Sequence, residues 1–258
     1  MSSSLASFLG AVAMQAVTYV ALTGSLLALT RRWAAGWFAR RRIAVRGRAA
    51  DRAQVAHELR HSLVAITVGG AQAAIVQAMH AAGVDRLVEQ VDGPMVAVAW
   101  LAGLIAWNDL WFYGVHRALH TPWLYRHVHA VHHRSVDVTP MSSYAFHGVE
   151  ALLVTGWILP AALLAPIPLP VLGAAQALGL FNNVMSHLGF ELLPAWWTRA
   201  PILGWTNTAT FHSLHHQKFR GNYGLFPRVW DRLFGTEVDG YEAAFEAATG
   251  ASEPASVR

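Results

Sequence analysis

The chain has 258 residues, of which 54% are hydrophobic and only 13% charged. A water-soluble domain carries about 25% charged residues, so this composition excludes an ordinary soluble fold and excludes disorder more firmly. The formal charge is +4, all but one of the 19 basic residues are arginine, and cysteine is absent, which removes disulfides, thiolate metal ligands and a cysteine nucleophile.

A bilayer core needs about 20 largely apolar residues per helix. Leu5 to Thr30, Leu63 to Ala82 and Met95 to Val115 each meet that length, the last with Asn108 and Asp109 in its final turns. Ala151 to Pro168 and Leu169 to Ser186 form a fourth and a fifth stretch, separated by a turn at Pro166, Pro168 and Pro170. The expected fold is therefore an all-α integral membrane protein with about four to five spanning helices. The first stretch lacks a basic leader and runs straight into Arg31 and Arg32, which reads as a retained helix and not as a cleaved signal.

Arginines set the expected orientation. Arg31, Arg32, Arg40, Arg41, Arg42, Arg46, Arg48 and Arg52 crowd the first loop, and the positive-inside rule places that loop in the cytoplasm. No binding motif accompanies the run, so a nucleic-acid role is the weaker reading. The loop from Gly83 to Gly93, with Asp85, Arg86, Glu89 and Asp92, then falls on the opposite side. Counting spans puts residues 116–133, His187 and everything after it back on the cytoplasmic side, as a histidine-rich helical cap. Trp196, Trp197 and Arg199 mark an interfacial piece, and the tail after Tyr241 reads as a short helix that frays.

Eleven of the 14 histidines follow residue 115. His116 and His120 are four apart, which on a helix puts both rings on one face. His129, His132 and His133 stand at i, i+3, i+4, and His212, His215 and His216 repeat that spacing. In this phase His127 lies about 200° away from its neighbours and points elsewhere. Eight histidines in three same-face groups are costly if buried unpaired, and imidazole suits iron, zinc, copper and nickel. Eight ligands are too many for one ion and suit two. His57, His61, His80 and His127 read as ordinary core or surface residues.

The histidine motifs, in this order around apolar hairpins, resemble the sterol desaturase and fatty acid hydroxylase superfamily. DLWFYGVHRALHTPWLYRHVHAVHHRS, VTPMSSYAFHGVE, HLGFELLP and FHSLHHQKFRGNYGLFPRVWDRLFGTE are all similar to its stretches, across residues 109–237. TPMSSYAFHGVE leans toward the sterol C5-desaturase branch, with Gly148 where that branch usually has proline. The resemblance implies a catalytic domain over 95–240, after N-terminal membrane helices and a basic loop (1–94) and before a C-terminal tail (241–258). It implies two iron ions, for which zinc can substitute, and O₂ as co-substrate in the hydroxylation or desaturation of a lipid C–H bond. The implied metal ligands are His116, His120, His129, His132, His133, His187, His212, His215 and His216. His187 joins them because HLGFE resembles the segment that supplies a further ligand. His147 reads equally as a ligand or as a helix cap, and Glu191 as a ligand or as an acceptor behind one. Asp109 is expected to orient His116 by a hydrogen bond, Asp231 to pair with a basic residue, and Asn222, Tyr223 and Gly224 to form a turn. With no haem-binding, dinucleotide or iron–sulfur motif in the chain, a membrane lipid substrate and a separate electron-donor protein are the expected partners. A histidine-rich metal transporter or storage protein and a carotenoid hydroxylase are the competing readings.

Overall fold

A computed structural model describes residues 2–32, 37–44 and 50–250, with the side chains of residues 2–4, 7, 31, 32, 37 and 38 left aside. Arg46, Arg48 and the side chains of Arg31 and Arg32 lie outside the described residues, as does the tail beyond Gly250. Helix α1 spans Ser2–Arg32, α2 spans Arg52–Ala81 and α3 spans Pro94–Leu119. A short helix α4, Pro122–His127, leads into the histidine-rich segment. Helices α5 (Gly148–Thr155), α6 (Ile158–Leu164) and α7 (Leu169–Ser186) form a hairpin. Helices α8 (Ala209–Lys218), α9 (Val229–Leu233) and α10 (Tyr241–Thr249) complete the chain. Among the described residues there are three isolated β-bridges and no strand.

Helices α1, α2 and α3 are long and apolar enough to cross a membrane. Their outward faces carry exposed Leu9, Met14, Val17, Leu63, Ile75 and Val98. Contiguous apolar surface of this kind is what a lipid-facing helix presents. The fold is that of an all-α membrane protein.

Two boundaries differ from the sequence expectation. Helix α2 starts eleven residues before Leu63, at Arg52, where the Asp51 carboxylate caps it by accepting from the Gln54 backbone N–H at 2.8 Å. Its polar first turns continue the same helix because Glu58 is fully buried and accepts from Gln54 (2.8 Å), Ser135 (2.8 Å) and Thr139 (2.6 Å). The Ala151–Pro168 stretch is not one helix. It is split at Gly156 and Trp157 into pieces of 8 and 7 residues, each too short to cross alone. Pro160 has no N–H to donate to the Gly156 carbonyl, so the helical ladder fails there.

The tip of this hairpin packs against the loop after α2, with Arg86 N–H on the Ala162 carbonyl (2.8 Å) and Val88 N–H on Ile167 (3.0 Å). Leu87, Leu104, Ala162, Ile167, Val171 and Leu172 form the core at this end. The opposite end of the hairpin, where α7 stops at Ser186, meets the histidine-rich segments.

Helices α1 and α2 approach closely at glycine. A Cβ on Gly70 would lie 2.3 Å from Val12 Cγ2 and 3.2 Å from the Val12 backbone. Gly70→Leu is therefore expected to force the two helices apart and destabilise the protein by about 1–3 kcal/mol. Thermal unfolding in detergent measures this, and an unchanged midpoint would contradict the packing.

Candidate metal centre

Four segments deliver histidines to one place. Helix α3 ends at Leu119 with His116 in its last turn and His120 as its C-cap, because Thr121 and Pro122 cannot extend it. His129, His132 and His133 lie on a 3-10 turn, His129–Arg134, and not on the α-helix their spacing suggests. His187 caps the C-terminus of α7. His212, His215 and His216 lie on α8, whose N-terminus is capped by the Thr208 hydroxyl accepting from Phe211 N–H at 3.1 Å.

All nine come together, in two adjoining groups. His116, His120, His129, His133 and His215 form one, and His132, His187, His212 and His216 the other. Within each group one ring nitrogen per residue lies within 4.8 Å of all the others. The two i, i+3, i+4 motifs do not each serve one group. His132 parts from His129 and His133, and His215 parts from His212 and His216. The groups touch, with His133 and His216 rings 4.7 Å apart between centroids.

The ring nitrogens define the chemistry. His116 Nδ1 is 2.9 Å from the Tyr223 carbonyl, His120 Nδ1 3.1 Å from Phe219, His187 Nδ1 2.7 Å from Asn183 and His215 Nδ1 2.6 Å from Gly221. A carbonyl oxygen only accepts, so each Nδ1 carries the proton and each Nε2 presents a lone pair. With Glu150 ionised, His129 Nδ1 donates likewise to Glu150 Oε1 at 2.7 Å. The Nε2 atoms of His120 and His129 are nonetheless 3.1 Å apart, with no proton left to join them. His215 Nε2 is buried with no partner. A cation between such lone pairs satisfies them, which is why this donor set fits metal ions.

Burial keeps the rings in the ligand form. It pushes His120 down to about 3, helped by neighbouring His116, and His187 down to about 4. His129, His132, His133, His212, His215 and His216 are likewise held well below the usual imidazole value by burial, with neighbouring histidines adding to it. Neutral imidazole is the form that binds a metal.

Several acidic residues have other work than the sequence suggests. Asp109 does not bond His116; its Oδ1 accepts from the backbone N–H groups of Leu225 (3.2 Å) and Phe226 (2.8 Å). Asp231 forms no ion pair among the described contacts. Its carboxylate accepts from the N–H groups of Tyr223 and Gly224, both at 2.8 Å, and from Thr236 at 2.6 Å. Together the two acids pin the turn that aims the Tyr223 carbonyl at His116. Glu191 is in neither group; it accepts from Thr210 N–H (3.0 Å) and hydroxyl (2.8 Å) and anchors the start of α8. His147 is also outside both groups and caps α5, its Nδ1 accepting from Val149 N–H at 3.2 Å.

Glu150 is the functional residue that sequence reasoning missed. It is 1% exposed, and the signal was a lone carboxylate opening an apolar helix. A cavity of about 10 Å³ lies beside it, lined by Phe112, Phe146 and Val154 together with histidines of both groups.

The fold and this centre define a membrane protein with two adjoining all-histidine groups that could each hold a metal ion. The fatty acid hydroxylase family model matches residues 100–236, and the chain belongs to that family. It is 32% identical over 173 residues to a very-long-chain aldehyde decarbonylase of Oryza sativa subsp. indica, covering 64% of this chain and 27% of that protein. It is 33% identical over 195 residues to a Delta(7)-sterol 5(6)-desaturase of Aspergillus fumigatus, covering 72% of this chain and 54% of that protein. A Delta(7)-sterol 5(6)-desaturase of Leptosphaeria maculans is 36% identical over 134 residues, 51% of this chain and 35% of that protein. The chain thus spans between about a quarter and about half of these relatives' length. No solved structure matches it.

His127 is exposed at the end of α4 and belongs to neither group. His127→Ala should retain metal as the parent does, whereas His132→Ala and His187→Ala should lower metal content without impairing membrane insertion. Elemental analysis of the purified variants checks this; loss of metal in His127→Ala equal to that in His132→Ala would overturn the grouping.

Proposed function

We propose that this chain is a membrane-bound non-haem di-iron oxidoreductase that uses O₂ to hydroxylate or desaturate an unactivated C–H bond of a lipid. The observation that carries the reading is the convergence of nine neutral imidazoles into two touching groups beside a small cavity. Membership of the fatty acid hydroxylase family and similarity to sterol desaturases and aldehyde decarbonylases support the lipid class.

His116, His120, His129, His133 and His215 would hold one ion, and His132, His187, His212 and His216 the other. Iron bound there would supply O₂ activation and removal of hydrogen from carbon; zinc suits the same ligands without redox chemistry. The chain does the rest. Phe112, Phe146 and Val154 give the cavity an apolar wall, and its volume of about 10 Å³ leaves room for one water-sized molecule beside the rings. Asn183, on the same wall, is held by its side-chain N–H on the Ser143 carbonyl at 2.7 Å. Whether oxygen is inserted or a second hydrogen removed is decided by how these walls place the substrate carbon.

In this reading the histidine end faces the cytoplasm, next to the arginine-rich loop, and a separate electron-donor protein reaches it there. Both groups lie at helix ends and, His120 apart, are buried by protein. That placement favours a fixed cofactor over a metal in transit, since transporters place their sites near the bilayer midplane.

Cells expressing the chain should accumulate lipids that have gained one oxygen atom or lost two hydrogens, and His132→Ala should abolish the change. Mass spectrometry of lipid extracts reads it. A purified protein that holds metal yet consumes no O₂ with lipid extract and reductant would return the transporter or storage reading.

A further inference from the structure

The two histidine groups are not supported equally from behind. In the five-histidine group, four rings have Nδ1 on an acceptor: His116 on Tyr223 O (2.9 Å), His120 on Phe219 O (3.1 Å), His129 on Glu150 Oε1 (2.7 Å) and His215 on Gly221 O (2.6 Å). The fifth ring, His133, leaves Nδ1 buried with no partner, whereas in the four-histidine group two rings, His132 and His216, do so and His187 has the Asn183 carbonyl at 2.7 Å. Such partners fix the tautomer and ring orientation and raise ligand basicity, and losing one costs roughly 10–100-fold in metal affinity.

Charge follows the same division. His129 and Glu150 are each 1% exposed, and Glu150 Oε2 is buried with no hydrogen-bond partner. A buried carboxylate without a counter-charge is costly, and a cation on the far side of His129 offsets it. Among the described residues no ring of the four-histidine group bonds a carboxylate. The five-histidine position therefore has one more ligand, more anchored rings and, among the described residues, the only carboxylate hydrogen-bonded to a ring of either group.

We propose that the two metal positions differ in affinity, the five-histidine position holding its ion tightly and the four-histidine position releasing its ion first, with Glu150 acting through His129 as the positioning residue of the tight position. This rests on the metal-binding reading above and concerns only how the two ions are held.

The test uses the full chain in detergent, loaded with Zn²⁺ and challenged with chelators of increasing strength, with retained zinc measured by atomic emission. The parent protein should lose its two equivalents in two separate steps. Glu150→Gln keeps an amide oxygen to accept from His129 while removing the charge. It should weaken the second, tighter step by roughly 10–100-fold and leave the first in place. His212→Ala should remove the first step and keep the tight equivalent, so the proposal stays decidable if Glu150→Gln is not recovered folded. Two equivalents leaving the parent together would overturn it. So would a Glu150→Gln variant that shifts the first step or neither, or a His212→Ala variant that loses the tight equivalent. A parent that binds no zinc at all would instead sink the metal reading itself.

Discussion

Everything around the centre answers one constraint, which is that neutral imidazole lone pairs are crowded together in a space with too few protons to join them. His120 and His129 illustrate it, with Nε2 atoms 3.1 Å apart and both Nδ1 protons committed elsewhere. Left alone, such a cluster is repulsive and desolvated. It becomes favourable only with cations inside it, so the rest of the fold is arranged to hold the rings in place until the cations complete it.

The holding is done mostly by backbone. The segment after α8 turns back under the histidines, with Phe219 and Asn222 in the left-handed region at φ 58° and 54°. That conformation is uncommon for a bulky residue such as Phe219, but it accompanies a turn that presents the Phe219 and Gly221 carbonyls to His120 and His215. Gly221, at φ 70°, is packed so closely on Thr236 that a Cβ would lie 2.5 Å from its carbonyl oxygen. Buried acids then secure the surrounding backbone: Asp109 and Asp231 hold consecutive amides from 223 to 226, and Glu191 holds the start of α8. Asp109, Asp231 and Glu191 are thus anchors one layer out, and both groups are entirely imidazole.

The membrane-facing architecture serves the same end. Long helices α1 to α3 present apolar faces outward, while the broken hairpin α5–α7 brings His147, Glu150 and His187 to the histidine end from the membrane side. The apolar wall of the small cavity comes from α3, α5 and the segment before α5, so the cavity and the histidine groups meet where apolar helices end and the polar cap begins. The proposed reaction on a lipid C–H bond would use that boundary, with substrate arriving from one phase and electrons from the other.

The membrane class and eight of the nine histidines were legible in the amino-acid sequence, since composition, apolar run length and histidine spacing are local properties that survive without a fold; His187, alone in the chain, joined them through the resemblance of HLGFELLP. The aside of His127 was also legible, although through a helical phase that does not hold: α4 ends at His127 and a 3-10 turn follows. Local spacing could not allot His132 and His215 to the group opposite their immediate neighbours, because that depends on how α7, α8 and the 3-10 turn pack. Nor could it find the carbonyls of Tyr223, Phe219 and Gly221, since a backbone oxygen has no residue signature. The roles of Asp109 and Glu150 were likewise hidden, each bonding atoms of an element remote in the chain. Residue types and their spacing thus determined that imidazoles gather as candidate metal ligands; tertiary packing decided which rings group together and what stands behind each, because grouping is a distance in space that chain separation does not encode.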